Sequence, residues 1–340
     1  MINSLVLQEA LSIPSVIDKF IQNDNNKYQV IANLINQKKF KYVVTIARGT
    51  SDCAALYSSY IFAKYLGLPS YSMPPSIITL EKSKFNFSDA LVIVISQSGK
   101  STDLIECEKK SREMGAITIL ISNNENSPIV NSANYFFSMF AGEEKSVAAT
   151  KSFVQTLLIL KKLVFICEGR KKINDSIKTL SETLLTDENN QWNVDLVDNR
   201  INSGFILGRG VGFALSNEIS LKFKELCQEM IEPFSSAEVM HGPKSLIQDT
   251  FKLFTLSMND TSGQTVQKDS NEISRYTKLI YNISSTNNES KNFYFPGNEI
   301  IDFDSIVIMT KFYPWIIKYA QKKGLDPDNP RYLTKVTETF

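Results

Sequence analysis

The sequence predicts an α/β protein with two tandem domains, each a doubly wound, mostly parallel sheet flanked by helices in a flavodoxin-like, three-layer arrangement. Three observations support this prediction. Short apolar runs that are typical of buried strands alternate with longer helical patterns. The turn at Arg48-Gly49 recurs at Arg209-Gly210, a shift of about 161 residues. A chain of 340 residues is also long enough for two domains of ordinary size.

The elements of the first half follow from their apolar patterns. Apolar residues recur at helical spacing within residues 1–40, and this pattern predicts helices that precede the first domain. Buried strands are expected at 41–47, 90–96 and 116–122, and a short strand is expected at 68–74. Helices are expected at 52–67, at 76–83, from Ser101 to Gly115, and from Lys151 onwards. Right-handed crossovers between such strands give a parallel sheet.

The second half repeats the strand, glycine turn and long helix with "SGFILGRGVGFALSNEISLKFKELCQE". The strand "FKLFTLS" corresponds to "ALVIVIS", but the polar turn SQSG that follows the first copy is lost in the second. One half is therefore expected to bind an anion and the other to supply different chemistry. Five segments are predicted along the chain: a helical segment at 1–40, a first domain at 41–168, a helical linker at 169–200, a second domain at 201–318 and a tail at 319–340.

The composition excludes several classes of function. Lys plus Arg number 37 and Asp plus Glu number 36, so nothing draws the whole chain to nucleic acid or to acidic membranes. No run of 18 apolar residues and no signal-peptide pattern occurs, so no membrane association is expected. With one histidine and four widely spaced cysteines, a zinc site is disfavoured and no metal or organic cofactor is expected. We expect reduced thiols, mostly buried in helices, and a cytoplasmic protein.

The stretch "VIVISQSGKSTDL" predicts a phosphate site. An apolar strand ends at Ile95, a polar turn follows, and a helix begins near Ser101. Backbone N–H groups at a helix N-terminus lack internal partners and favour anions. Serine hydroxyls can add hydrogen bonds, and Gly99 lets the backbone approach a ligand closely. Lys100 could contribute a charge or could equally face solvent. We call residues 96–101 the cradle.

Simpler interpretations compete with a phosphate site. The cradle could be a polar turn with a serine N-cap, worth ~1 kcal/mol to the helix. It matches neither the P-loop pattern nor the GxGxxG pattern, and "GRGVG" in the second half has Phe213 where the third glycine would stand. The turn "RGTSD" ends the neighbouring strand and would direct Ser51 into the same crevice. Its competing interpretation is a helix cap at Ser51 or Asp52.

Five ordered motifs together resemble the sugar isomerase (SIS) family: GTS at 49–51, SQSGKSTD at 96–103, EEKSVAATKSF at 143–153, EISLKFKELCQEMIEPFSSAEVMHGP at 218–243 and NPRYLTKVTETF at the C-terminus. The resemblance extends over essentially the whole chain. It points to the isomerase half of glucosamine-6-phosphate synthase and to SIS-type hexosamine-6-phosphate deaminases. Residue 2 is Ile2, whereas the synthase's glutaminase domain opens with a catalytic cysteine, which favours release of ammonia over its uptake from glutamine.

The resemblance implies roles for individual residues. The phosphate would be held by Ser51, Ser96, Gln97, Ser98 and Ser101. The sugar site would be lined by Thr50, Val147 and Ala149, where the synthase has a serine in place of Ala149. The chemistry would be carried by Glu225 as the proton-shuttling base, its neighbour Lys222, His241 as the ring-opening group, and Lys335 from the C-terminal tail. In the family the histidine loop enters a partner's site, so a homodimer is expected.

The residues of the second half fit acid–base chemistry. Glu218, Lys222 and Glu225 share one helix face, which would be a solvated stripe of ion pairs if the helix were exposed. Its other faces are apolar, so a desolvated carboxylate with a raised pKa is expected, and Lys222 would oppose that shift. His241 is the only histidine in the chain and precedes a Gly-Pro turn; a lone histidine is often structural, but no other could transfer protons near neutral pH.

The expected activity is that of a glucosamine-6-phosphate deaminase, which would convert glucosamine 6-phosphate and water to fructose 6-phosphate and ammonia through ring opening, aldose–ketose isomerisation and imine hydrolysis. Two enzymatic alternatives stay open: a galactosamine-6-phosphate deaminase or isomerase, and a synthase-like isomerase without a glutaminase domain. A third alternative is a sugar-phosphate sensor without turnover. Residues 1–40 are too short and not basic enough for the DNA-reading domain that such sensors carry.

Overall fold

The computed structural model describes residues 4–22, 26–37, 39–187, 191–286, 292–297 and 301–335. These residues form two compact units, each built around one sheet. The first unit comprises the described residues of Ser15–Glu144 and Lys151–Lys178 together with Thr334 and Lys335. The second unit comprises those of Met1–Pro14, Lys145–Thr150 and Thr179–Leu333. The domain boundaries predicted from the sequence divide the chain into continuous segments, whereas each compact unit combines several separate segments. The predicted boundaries stay a prediction.

The first unit holds a parallel sheet of five strands among its described residues, in the order β2-β1-β3-β4-β5. The strands are β1 (Tyr42–Ile46), β2 (Ser70–Ser72), β3 (Ala90–Ile95), β4 (Ile117–Ser122) and β5 (Tyr135–Ser138). Every residue of β3 is buried, as expected for a strand covered on both faces. The helices are α2 (Ile13–Gln22, which begins in the second unit), α3 (Lys27–Asn36), α4 (Thr50–Leu66), α5 (Ser76–Thr79), α6 (Thr102–Glu113) and α7 (Lys151–Cys167).

The second unit repeats this topology. Its described strands are all parallel and run in the order β7-β6-β8-β9-β10. They are β6 (Ser203–Gly208), β7 (Met230–Ser235), β8 (Lys252–Ser257), β9 (Ile280–Ser284) and β10 (Asn292–Tyr294). The helices are α1 (Leu5–Leu11), α8 (Ile173–Thr186, which begins in the first unit), α9 (Val211–Cys227), α10 (Ser236–Val239), α11 (Thr261–Ile273) and α12 (Asp304–Lys322).

The predicted fold class is confirmed, because both sheets follow the flavodoxin-like order 2-1-3-4-5 once each is numbered from its own first strand. The predicted cysteine environment also agrees with the structure. All four cysteines lie in helices as free thiols, and three of them are buried. None of the helices within the described ranges is both long and apolar enough to cross a membrane.

An aromatic core fixes helix α9 in the second unit. Phe223 packs against Phe254 of β8 and against Trp315 of α12, with ring centroids 5.0 and 5.9 Å apart. Trp315 in turn stacks on Tyr319 at 5.2 Å. Because these rings hold one side of α9, its charged stripe is presented at a defined position.

Candidate active site

The cradle lies at the switch point of the first sheet. β1 and β3 are neighbours, with Ile46 opposite Val94, while their next strands, β2 and β4, lie on opposite sides. The loops that follow β1 and β3 therefore flank the crevice in which doubly wound sheets bind ligands. This places Thr50 and Ser51 in one loop and helix start, and the cradle in the other.

Two serines of the cradle accept hydrogen bonds from the backbone of the loop, which leaves a hydroxyl able to donate to a further acceptor. Ser96 Oγ accepts from the N–H of Gly99 at 3.1 Å, and Ser98 Oγ accepts from the N–H of Lys100 at 3.2 Å. Ser101 occupies the N-cap of α6, yet its side chain makes no capping hydrogen bond. The serine-cap interpretation of the turn therefore does not account for this hydroxyl, which is available to an anion.

The backbone conformation and the close packing at position 99 require a glycine. Its φ is 62°, and a Cβ atom here would lie 2.2 Å from Ser127 Oγ. Asn124 Nδ2 donates to the carbonyl of Ser98 at 3.1 Å, and the N–H of Asn123 donates to the carbonyl of Gln97 at 3.2 Å. The polar loop after β4 thus supports the cradle from behind. Sequence reasoning missed this role, although "SNNENS" directly after a buried strand was a usable signal.

Arg48 was also missed by sequence reasoning. Its Nε donates to Asp103 Oδ2 at 2.8 Å, and this ion pair joins the turn after β1 to the first turn of α6. The Asp103 side chain is 2% exposed and that of Arg48 is 44% exposed. The buried carboxylate fixes one edge of the guanidinium, so a positive charge with free donors is held beside the cradle. Lys100 is exposed.

The competing interpretation of the turn, with Ser51 or Asp52 as the cap of helix α4, is wrong. The N-cap is Gly49, with φ 55° and ψ −132°, rather than Ser51 or Asp52. Only glycine takes this conformation easily, so the helix starts directly after the glycine and Ser51 falls within its first turn. Asp52 instead accepts a hydrogen bond from Ser72 Oγ at 2.6 Å. Ser51 and Thr50 are both half-buried.

In the second unit, α9 carries a buried charged triad, defined as Glu218, Lys222 and Glu225. Lys222 Nζ contacts Glu225 Oε2 at 2.6 Å and Glu218 Oε1 at 3.2 Å. The side chains of Glu218 and Lys222 are fully buried and that of Glu225 is 21% exposed. The alternative of a solvated stripe is therefore wrong. Only Glu225 reaches solvent, which makes it the member that a substrate can contact.

Burial was expected to raise the pKa of a carboxyl group in this helix. The structure shows this effect for Glu218. Burial, reinforced by the charge of Glu225, raises the pKa of Glu218 to about 7, against the opposing effects of Lys222 and Tyr313. Tyr313 OH donates to Glu218 Oε1 at 2.9 Å, and Glu218 Oε2 has no hydrogen-bond partner in the described chain. For Lys222, burial lowers the pKa, but the two carboxylates together raise it above its usual value. A proton on Glu218 leaves Lys222 and Glu225 as a balanced pair.

His241 lies apart from this triad. It sits in an exposed turn between α10 and a short 3₁₀ helix that begins at Pro243, and its backbone N–H donates to the carbonyl of Glu238 at 3.0 Å. No hydrogen bond joins His241 to Glu225 in the part of the chain that the structure describes. An exposed imidazole can reach a substrate that is bound by other residues.

Lys335 is paired with a buried carboxylate that the sequence reasoning had not singled out. Lys335 Nζ lies 3.3 Å from Glu144 Oε2, and Glu144 also accepts from the N–H and Oγ of Ser152 at 3.1 and 2.6 Å. In the second unit, Val147 and Ala149 are half-buried in the irregular segment Lys145–Thr150, which precedes α7. Within the described ranges, no group of three or more His, Cys, Asp and Glu side chains could hold a metal ion.

Comparison with known proteins supports the family resemblance read from the motifs. The model of the SIS domain matches residues 34–165, which contain the first sheet and the cradle. Residues 34–165 thus match the domain family that the motifs resemble, and the second sheet has the same strand order as the first.

Individual known proteins are similar to this chain over nearly its whole length. The chain is 28% identical, over 331 residues, to glutamine–fructose-6-phosphate aminotransferase (isomerizing) of Sulfolobus acidocaldarius; the match covers 95% of this chain and 54% of the relative. The chain thus spans about half the length of the curated relatives that it matches. A solved structure from Silicibacter pomeroyi DSS-3, named as a candidate phosphosugar isomerase, has 28% identity and a TM-score of 0.86, over 96% of this chain and 100% of the other.

A further solved structure shares the fold. Glucosamine-6-phosphate deaminase from Thermotoga maritima superimposes with a TM-score of 0.74 over 99% of this chain and 100% of the other, at 20% identity. At that identity the likeness concerns the fold alone.

Proposed function

We propose that this chain is a sugar-phosphate isomerase of the SIS family, and that the reaction it carries out is the deamination of a hexosamine 6-phosphate. One observation carries the proposal. The chain combines a hydroxyl-rich anion cradle with an ion-paired, partly exposed carboxylate, Glu225, backed by a buried lysine. The first suits a phosphate monoester, and the second suits proton transfer at a sugar carbon.

In the proposed complex, the cradle and the helix start after β1 bind the phosphate. The hydroxyls of Ser51, Ser96, Ser98 and Ser101 donate to its oxygens, and Gln97 adds an amide donor. The N-terminus of α6, a helix of 12 residues, contributes the favourable end of its dipole. Arg48 supplies the positive charge that the net charge of the whole chain does not.

Glu225 carries the proton in the proposed reaction. In the open-chain amino sugar it removes the C2 proton while the C1 oxygen gains a proton, which leaves an enol-amine between C1 and C2. Returning the proton to C1 while the nitrogen gives one up produces an imine at C2, and water adds to that carbon and expels ammonia as fructose 6-phosphate forms. Lys222 orients Glu225, because its ammonium donates to Glu225 Oε2. Thr50, Val147 and Ala149 contact the sugar in this proposal.

Two further residues complete the proposed roles. His241 protonates the ring oxygen and opens the pyranose, acting in the site of a second copy of the chain in a homodimer. Lys335, placed by Glu144, stabilises the negative charge that develops on the open-chain substrate. A monomer in sedimentation that still turns over substrate would contradict the shared site.

The experiment that tests the proposed function is a coupled assay on purified protein. Glucosamine 6-phosphate and galactosamine 6-phosphate are supplied in parallel, while ammonia and ketose 6-phosphate are measured separately. We expect ammonia and fructose 6-phosphate to appear in equal amounts from glucosamine 6-phosphate. Faster release from the galactosamine compound would reassign the epimer, and tight binding without turnover of either compound would favour a sensor.

A second candidate is a synthase-like isomerase that interconverts ketose and aldose phosphates without releasing ammonia. The similarity to the aminotransferase over 95% of this chain favours it. The same assay separates the two, because this candidate would convert fructose 6-phosphate to glucose 6-phosphate and leave glucosamine 6-phosphate intact.

A further inference from the structure

We infer that Glu9 of α1 is a positioning residue for the segment Lys145–Thr150, and that it sets the affinity for the sugar rather than the rate of the chemical step. The inference rests on the proposed function, because that proposal assigns Val147 and Ala149 of this segment to the sugar site. Glu9, α1 and the segment all belong to the second unit.

The contacts of Glu9 are specific. Its Oε1 accepts from the backbone N–H of Lys145 at 2.6 Å, and its Oε2 accepts from the N–H of Ser146 at 3.3 Å. The residue is 6% exposed. One carboxylate therefore binds two successive N–H groups, as an anion does in a backbone nest. These groups lie immediately before the two residues that the proposal places against the sugar.

The segment belongs to no regular element. Residues 145–150 form neither helix nor strand, so no regular backbone ladder fixes them. Ser146 is buried, and its Oγ has no hydrogen-bond partner among the described residues. Since buried N–H groups need acceptors and hydrogen bonds to a charged acceptor are stronger than neutral ones, Glu9 restrains the backbone of residues 145 and 146 strongly.

The helix that carries Glu9 is itself fixed at its start. Asp328 accepts from the N–H groups of Leu5 and Val6, each at 2.8 Å, and from Ser4 Oγ at 3.0 Å. Ser4 Oγ in turn accepts from the N–H of Leu7 at 3.4 Å. Because α1 is held at its N-terminus independently of Glu9, the carboxylate is presented to the segment from a fixed position.

The test compares two variants of the same helix. Glu9→Gln keeps the size of the side chain but replaces one acceptor oxygen with an NH₂ group, which faces an N–H donor. Ser4→Ala is the control, because it weakens the start of α1 and leaves the contacts of Glu9 intact. For each variant we measure hydrogen exchange at the amides of 145 and 146, thermal stability, and KM and kcat for glucosamine 6-phosphate. Binding of sorbitol 6-phosphate, a non-reacting open-chain analogue, is measured by calorimetry.

We expect Glu9→Gln to speed exchange at both amides and to raise KM, and the Kd of sorbitol 6-phosphate, about tenfold, with kcat within about twofold of wild type. Ser4→Ala should lower thermal stability with KM and exchange at 145 and 146 unchanged. Unchanged exchange in Glu9→Gln, or faster exchange with unchanged KM and Kd, would overturn the inference. A wild type that binds sorbitol 6-phosphate without turning over any hexosamine phosphate would count against the proposed function alone.

Discussion

The two units share a strand, a glycine turn and a helix in matching conformations, but they carry different chemistry on them. Gly49 and Gly210 cap α4 and α9 with φ of 55° and 57° and the same ψ of −132°. Both helices have 17 residues and end in a left-handed residue, Gly67 in one and Gln228 in the other. The duplicated backbone is therefore a scaffold, and the side chains placed on it decide what each copy does.

The helix after the third strand of each sheet shows the first difference. In the first unit the N-cap Ser101 makes no side-chain capping bond. In the second unit the N-cap is Asp260, whose Oδ1 accepts from the N–H of Gly263 at 2.9 Å. A carboxylate supplied by the chain itself occupies the helix N-terminus and repels other anions. In the first unit the N-cap position itself carries no carboxylate, and the nearest one, Asp103 in the first turn of α6, is paired with Arg48.

The long helices show the second difference. The shift between Gly49 and Gly210 places Tyr57, Ile61 and Lys64 of α4 where α9 has Glu218, Lys222 and Glu225. Tyr57 and Ile61 are uncharged and fully buried. The triad therefore belongs to one copy alone, as the cradle belongs to the other, which supports a division between phosphate binding and proton transfer.

The largest expected effect follows from removing the charge of Glu225. Glu225→Gln should lower kcat by ~10²–10⁴-fold, because general acid–base groups contribute about that much. The matched control is Lys64→Gln, at the equivalent exposed position of α4, which should leave kcat within about twofold. Initial rates on glucosamine 6-phosphate, with circular dichroism to verify folding, provide the measurement. A folded Glu225→Gln enzyme with wild-type kcat would remove Glu225 from the mechanism.

The next largest expected effect is a change of protein stability with pH, caused by titration of Glu218 in the buried triad. Burial raises the pKa of Glu218 from 4.5 to about 7, so between these pH values the folded state binds the proton more tightly than the unfolded state. The contribution of Glu218 to the unfolding free energy is therefore full at low pH and is lost as pH rises to about 7, by up to about 3 kcal/mol. Urea unfolding from pH 5 to 8 should show this fall in wild type and lose it in Glu218→Gln. Parallel pH profiles for the two proteins would contradict the burial of an ionisable Glu218.

The capping glycines offer a direct test of the shared scaffold. Gly49→Ala and Gly210→Ala should each lower the unfolding free energy by about 1–3 kcal/mol, because both force alanine into a backbone conformation suited to glycine. Only Gly49→Ala should also weaken binding of sorbitol 6-phosphate, since Gly49 starts the helix beside the cradle. Denaturant midpoints and calorimetry check both statements. Equal loss of binding in the two variants would argue against a phosphate site confined to the first unit.

The smallest effect concerns the two helix starts that differ. Asp260→Ala should cost about 1 kcal/mol of stability through its lost cap and leave phosphate binding unchanged. Ser101→Ala, which loses no capping bond, should cost less than about 0.5 kcal/mol yet weaken binding of sorbitol 6-phosphate. A larger stability loss in Ser101→Ala than in Asp260→Ala would show that the serine is a structural cap.

The sequence allowed most of the architecture to be predicted, because strand periodicity, glycine turns and the internal repeat are local signals. The strands at 42–46, 90–95 and 117–122 lie within the predicted ranges. Helix α4 begins at Thr50, two residues before the predicted range, because Gly49 caps it with a left-handed φ, which the capping preferences of serine and aspartate do not reveal. The attachment of α1 and of segment 145–150 to the second unit depends on contacts between residues far apart in sequence.

The candidate site was predictable only where its residues follow strands directly or share a helix face. The cradle and the triad meet that condition. The support of the cradle by Asn124, the ion pair of Arg48 with Asp103 and the hydrogen bonds of Glu9 to residue 145 join elements that are 26, 55 and 136 residues apart. No spacing rule connects such residues, so only the folded structure shows them.

The central claim, that Glu225 moves a proton on a sugar whose phosphate is held by the cradle, is tested most directly by isotope exchange. Wild-type protein is incubated with fructose 6-phosphate in D₂O, and proton NMR follows loss of one C1 hydrogen. We predict exchange in wild type, exchange at least about 100-fold slower in Glu225→Gln, and exchange in Ser98→Ala that recovers at saturating substrate. Exchange at the wild-type rate in Glu225→Gln would contradict the account.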